Sequence, residues 1–187
     1  MPHLPFPEDE SLPQQVRQCL DELPTRLNVF QIMAYAPTTV CHVADLGAAL
    51  LGTLNIAPAH REMVILWVAR QTGAKYEWVQ HLPPARAGGV TEEQIQAVYD
   101  LDRRRPCLGP AQQAALALAD RIVAGVPSGR ADIARLAEHF TQREIVELAV
   151  LAGYYLMLAR FLVTFDVDLD PRGDALADAF TGRRDAE

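Results

Sequence analysis

The sequence predicts an all-α fold. Its apolar residues recur at helical spacing, its segments open on proline or capping residues, and no stretch shows the alternation of a half-buried strand bounded by turns. With 187 residues, half of them hydrophobic, the chain is long enough to bury one sizeable core. A single domain over 1–187 is expected, with an irregular arm at 1–11 and a tail at 171–187.

Pro2, Pro5 and Pro7 fix φ and remove donors, which keeps the arm irregular. An amphipathic helix is expected from Leu12 to Leu23, stopping before Pro24, and a short one from Leu27 to Ala36, stopping before Pro37. Thr38 or Thr39 caps a third helix reaching about Leu54. Pro58 opens and Thr72-Gly73 closes a helix with Val64, Ile65, Val68 and Ala69 as its apolar stripe, which puts Glu62 in the first turn. A helix from about Lys75 to Ala87 follows, ended by Gly88-Gly89.

Thr91-Glu92-Glu93-Gln94 has the form of a capping box for a helix to about Leu101. Asp102 to Pro106 is a connector, and its arginines suit a solvated helix end. Pro110 opens a helix to Gly125, and another spans about Ala131 to Phe140. Thr141-Gln142-Arg143-Glu144 is a second capping box, opening a helix to about Phe165 that is apolar nearly all round. Such a helix is normally buried, in part against a neighbouring subunit. Asp166 to Pro171 makes a polar exit and lacks the downstream glutamate of a calcium loop. From Gly173 the chain forms a short helix at most.

Several function classes are disfavoured. The net charge is −7 and the basic residues form no stripe, so nucleic acid is not an expected partner. The acidic, proline-rich start has no signal-peptide form, and no apolar run was expected to span a membrane, so a cytoplasmic location is expected. Cys19, Cys41 and Cys107 are far apart in sequence and form no C-x-x-C, which fits a reducing compartment and small buried side chains. Glu77 and His81 have three residues between them, with no second copy, so a di-iron or other metal site is not expected. The absence of Walker A and G-x-S-x-G motifs argues against nucleotide binding and serine hydrolysis.

The chemistry gathers between Arg61 and Val90. Glu62 lies on one helix, and Glu77 and His81 share a face of the next at i,i+4, beside Tyr76 and Trp78. Taken singly, His81 reads as a core histidine, Glu62 as a residue stabilised by the helix dipole, and Glu77 as a partner for a nearby arginine. Together they form what a proton-transfer site requires.

The runs R-E-x-x-I-L-x-V-A from Arg61, Y-E-W-x-x-H from Tyr76 and G-G-V-T-x-E-x-I from Gly88 resemble the carboxymuconolactone decarboxylase family, whose relatives include the alkylhydroperoxidase D proteins. The likeness is strongest from Asn28 to Val98. In the peroxidase branch a C-x-x-C pair precedes the histidine; here those positions are Ala74 and Glu77, so the redox dithiol is missing and peroxidase activity ranks last. The resemblance implies an oligomerising helical bundle, a trimer or hexamer, acting as a cofactor-free carboxy-lyase in aromatic-compound catabolism.

Its expected substrate is a small carboxylated lactone or keto acid, decarboxylated or isomerised. In that reading His81 donates the proton, Glu62 orients it or relays protons, Glu77 sets its charge state, and Tyr76 donates to an oxyanion. Arg61 and Arg70 are candidates for the substrate carboxylate, although a structural ion pair suits each as well. Trp78 is a candidate substrate wall, with packing favoured. The alternative from another class is a non-catalytic helical oligomer that binds a small ligand or a protein partner.

Overall fold

A computed structural model describes residues 2–170. Among them there are helices and a 3-10 turn at Asp9–Ser11, and no strand. The helices are α1 (Gln14–Glu22), α2 (Asn28–Met33), α3 (Val40–Gly52), α4 (Pro58–Thr72), α5 (Lys75–Ala87), α6 (Glu92–Tyr99), α7 (Pro110–Ala124), α8 (Arg130–Ala137) and α9 (Gln142–Phe165). The expected tail helix beyond Gly173 lies outside the described residues.

Helix α4 is the axis of the bundle. It packs against α5, α6, α7 and α9, and every residue from Arg61 to Ala69 is buried, so the expected apolar stripe is a fully enclosed helix. Trp67 is 2 % exposed and its indole N–H donates to Asp120 Oδ1 on α7 at 2.8 Å, which satisfies the one polar atom that its burial would otherwise orphan. Burying side chains of this size contributes about 1.5–3 kcal/mol each. Gly73, at φ 72°, turns the chain left-handed at the end of α4 and lets α5 fold straight back along it.

Both predicted capping boxes form. Thr91 Oγ1 accepts from the Gln94 amide while Gln94 Oε1 accepts from the Thr91 amide, and Thr141 and Glu144 do the same at the start of α9. Thr39 is different: its hydroxyl donates back to the Ala36 carbonyl at 3.2 Å and caps nothing on α3. Helix α2 is capped from a distance, because Asp170 Oδ1 accepts from the Asn28 amide at 2.9 Å across the whole fold.

Two expectations about α9 change. Between Leu148 and Phe165 only Arg160 is charged, and α9 is long and apolar enough by composition to cross a bilayer, with a mean hydropathy of 1.8 in its most apolar window. In the bundle one face of it, including Leu148, Leu151, Tyr155, Leu158 and Leu162, is buried, and the helix packs on α4, α7 and α8. Its other side is exposed among the described residues: Val146 is 62 % exposed and Val150, Met157 and Val163 are also exposed.

Candidate active site

Glu62 is the fifth residue of α4, past the first turn, so the helix dipole is not what holds it. It is fully buried, with 0 % exposure. Its Oε1 accepts from Arg61 Nε at 2.8 Å, and its Oε2 lies 2.8 Å from His81 Nδ1 on α5. Arg61 also donates through Nη1 to the Leu51 carbonyl at 2.6 Å. Burial pushes the Glu62 carboxyl up, but the His81 hydrogen bond and the Arg61 charge outweigh that and hold it below the usual carboxylate range. An ionised Glu62 fixes the proton of His81 on Nδ1 and leaves Nε2 as the ring nitrogen for chemistry.

His81 lies on the wall of a cavity of about 60 Å³, with Leu51, Tyr76, Glu77, Gln80 and Tyr155 among its other lining residues. Tyr155 packs edge-on to the imidazole at a centroid distance of 5.0 Å. Tyr154 stacks on Tyr155 in turn and donates its hydroxyl to the Val43 carbonyl at 2.9 Å. Gly47 on α3 also lines the cavity; a side chain there would run into the Tyr154 hydroxyl.

Glu77 and Gln80 stand one turn apart on α5 and are 2 % and 1 % exposed. None of Glu77 Oε1 and Oε2 or Gln80 Oε1 and Nε2 has a hydrogen-bond partner among the described residues. Burial without a compensating partner raises the Glu77 carboxyl well above the usual range and favours its neutral form. Leaving such groups unpaired costs about 1–3 kcal/mol each. Pro83 and Pro84 continue α5 without N–H groups, so the carbonyls of Val79 and Gln80 lose their usual helical donors just beyond this face.

The other expected site residues are placed as follows. Tyr76 lines the cavity, but its hydroxyl donates to Asp170 Oδ2, so it is committed to the contact that also caps α2 and is not a free oxyanion donor. Glu77 makes no hydrogen bond to His81; the carboxylate that engages the imidazole is Glu62, because the i,i+4 neighbours on α5 both point into the cavity. Arg61 is held by Glu62 and Leu51 and does not line the cavity. Arg70 donates to the Tyr99 carbonyl at 2.7 Å and lies 4.5 Å over the Tyr99 ring, while Trp78 packs edge-on to the same ring at 5.5 Å. Arg70 and Trp78 therefore belong to a cluster with α6, away from the cavity. Gln80 was not singled out in the sequence, since an amide carries no acid–base signal.

The thiols also differ from expectation. Cys19 on α1 and Cys41 on α3, distant in sequence, are in hydrogen-bonding contact and line a separate cavity of about 420 Å³. Desolvation, together with Cys41, Asp45 and Glu22, pushes the Cys19 thiol up to about 12. Among the described residues no cluster of three or more histidine, cysteine or carboxylate side chains could hold a metal ion.

Residues 42–121, which hold α4, α5 and the whole Glu62–His81 pair, match the family model described as the carboxymuconolactone decarboxylase family. The segment belongs to that family. The fold agrees: an alkylhydroperoxidase AhpD core protein from Ralstonia eutropha JMP134, described as peroxidase-related, superposes with a TM-score of 0.76 at 23 % identity over 92 % of this chain and 94 % of its own. A peroxidase-related protein from Silicibacter sp. TM1040 gives 0.76 at 20 % identity, over 91 % and 92 %. The debrominase Bmp8, as a cysteine-to-alanine variant in complex with 2,3,4-tribromopyrrole, gives 0.69 at 17 % identity, over 94 % and 95 %. No curated protein matches the chain. Ala74 and Glu77, not a cysteine pair, precede His81 in this chain.

Proposed function

We propose that this carboxymuconolactone decarboxylase family member is an acid–base enzyme acting on a small carboxylated lactone or keto acid, without a redox dithiol. The observation that carries the reading is the buried Glu62–His81 hydrogen bond at the wall of an apolar cavity. In decarboxylation the bond from the α-carbon to the carboxylate breaks and CO2 leaves. The electron pair passes into the conjugated carbonyl as a dienolate, and protonation at carbon completes the turnover. The imidazolium of His81 supplies that proton from Nε2, and Glu62 stabilises the cation while it exists. His81 is then reprotonated from solvent. The same pair run in reverse abstracts a proton beside a carbonyl, so isomerisation of a related substrate uses no additional group.

The exposed apolar residues Val146, Val150, Met157 and Val163 on α9 support assembly of the enzyme with further copies of itself. Two results test the reading. Turnover of small lactone and keto-acid carboxylates, followed by CO2 release and NMR, is expected for the native chain and reduced by about 10²–10⁴-fold in His81→Ala with fold and oligomer retained. Undiminished turnover in that variant removes His81 from the mechanism. Saturable binding with no turnover of any compound favours the ligand-binding oligomer instead.

A further inference from the structure

The acid–base reading uses His81 and Glu62 and leaves two other polar residues of the cavity wall unexplained. These are Glu77 and Gln80, on the same helix as His81, whose four side-chain oxygen and nitrogen atoms are buried and have no hydrogen-bond partner among the described residues. Buried polar groups in folded proteins are nearly always paired, and a set with no partner among the described residues, on one turn of one helix and lining one cavity with a histidine, points to a ligand. We infer that Glu77 and Gln80 form a neutral clamp that binds the carboxylate of the substrate, Glu77 donating through O–H and Gln80 through its amide N–H, and so fix which end of the molecule faces His81. The inference rests on the proposed function and adds to it the groups that hold the carboxylate and a specificity residue, Gln80.

The charge distribution favours this chemistry over a salt bridge. Among the described residues no lysine or arginine lines the cavity, so an incoming carboxylate has no permanent cation to pair with there. Arg61 is the nearest candidate by sequence, and both the Glu62 carboxylate and the Leu51 carbonyl already hold it. An ionised Glu77 would repel the ligand; burial favours the protonated form, which is a donor. An acid O–H to a carboxylate is among the short, charge-assisted hydrogen bonds, and it forms in a site from which water is largely excluded. Holding the carboxylate by dipoles instead of a cation also leaves its charge less stabilised than a salt bridge would, which suits a group about to leave as CO2.

The test uses binding, which is read without turnover. Titration calorimetry with 2-furoate and 2-oxobutanoate, each beside its methyl ester, is expected to show the carboxylate bound at least tenfold more tightly than the ester. Gln80→Leu should cost at least tenfold for the carboxylate and little for the ester, while Glu77→Gln, which keeps a neutral donor in place, should retain binding that Glu77→Leu loses. Circular dichroism checks that each variant is folded; if Glu77→Leu is not, the Gln80→Leu and ester comparisons decide the matter alone. Equal affinity for ester and acid, or an unchanged Gln80→Leu, overturns the clamp and leaves ordered water as the partner of these atoms. His81→Ala separates the two readings: turnover lost with carboxylate binding kept supports both, whereas a clamp that binds in a protein that turns nothing over retains this inference and removes the proposed function.

Discussion

Glu62 on α4 and His81 on α5 are 19 residues apart in sequence and 2.8 Å apart in space, joined by a hydrogen bond that neither helix could make alone. The turn at Gly73 brings them together, and Arg61 completes a buried chain of guanidinium, carboxylate and imidazole. This order makes Glu62 both a structural anchor and the residue that sets the orientation of His81.

Glu62→Gln should therefore be costly. It leaves the nearly buried Arg61 guanidinium without its counter-charge, and breaking a buried pair of this kind costs about 3–5 kcal/mol. The sign in pH is fixed by direction: the folded carboxyl sits below its unfolded value, so its contribution is complete above the unfolded pKa and is lost as pH falls through the folded one. Urea melts of the native chain and the variant from pH 7 to pH 3 should converge at the acid end. Parallel curves throughout would show that the pair contributes nothing linked to protons.

Glu77 has the opposite sign. Its folded pKa is raised by burial, so the native state is most favoured below the unfolded carboxyl value, and stability is lost as pH rises toward the folded value. Within that window the loss amounts to about 1.4 kcal/mol per pH unit for one proton. Glu77→Gln should flatten this slope and raise Tm at pH 7 relative to the native chain, while the two stay alike near pH 4. The check is a series of thermal melts of both proteins at pH 4, 5.5 and 7.

Gly47→Ala tests the packing behind the site. The added methyl meets the Tyr154 hydroxyl first and its ring next, so the tyrosine must leave the Val43 carbonyl and disturb Tyr155 against His81. A loss of about 1–3 kcal/mol is expected for such overpacking. Combining it with Tyr154→Phe, which removes the nearest atom, should recover part of that loss in a double-mutant cycle, and strictly additive values would show that the two positions do not collide.

Cys19 should be a slow thiol. With its pKa pushed up to about 12, its thiolate fraction at pH 8 is roughly one in ten thousand, against roughly a quarter for an unperturbed cysteine. Iodoacetamide labelling followed by peptide mass spectrometry should modify Cys19 at least 100-fold more slowly in the native protein than in urea. Equal rates would mean that the contact with Cys41 and the flanking acids does not suppress ionisation.

Much of this architecture was legible from local chemistry. Pro58 and Gly73 bounded α4, Lys75 and Ala87 bounded α5, and the boxes at Thr91 and Thr141 opened α6 and α9, because caps and helix breakers act within a few residues of themselves. The pairing of roles was less legible. Glu77 was the visible neighbour of His81 at i,i+4, yet both project into the cavity, and the partner came from the adjacent helix. Tyr76 looked like an available donor, and Asp170, a residue 94 positions away, accepts its hydrogen bond. Arg70 and Trp78 fell on the side of α4 and α5 that faces α6.

The sequence by itself determined the helical class, the bounds of the helices that carry the site, and the residue types from which an acid–base centre is made, since periodicity, capping and side-chain chemistry are local properties. Only the tertiary structure decided that Glu62 holds His81, that Arg61 is consumed in that contact, that Cys19 meets Cys41, and that Glu77 and Gln80 are buried with no partner among the described residues. Those outcomes depend on which helix faces pack together, and burial then fixes both the partners and the protonation state of each group.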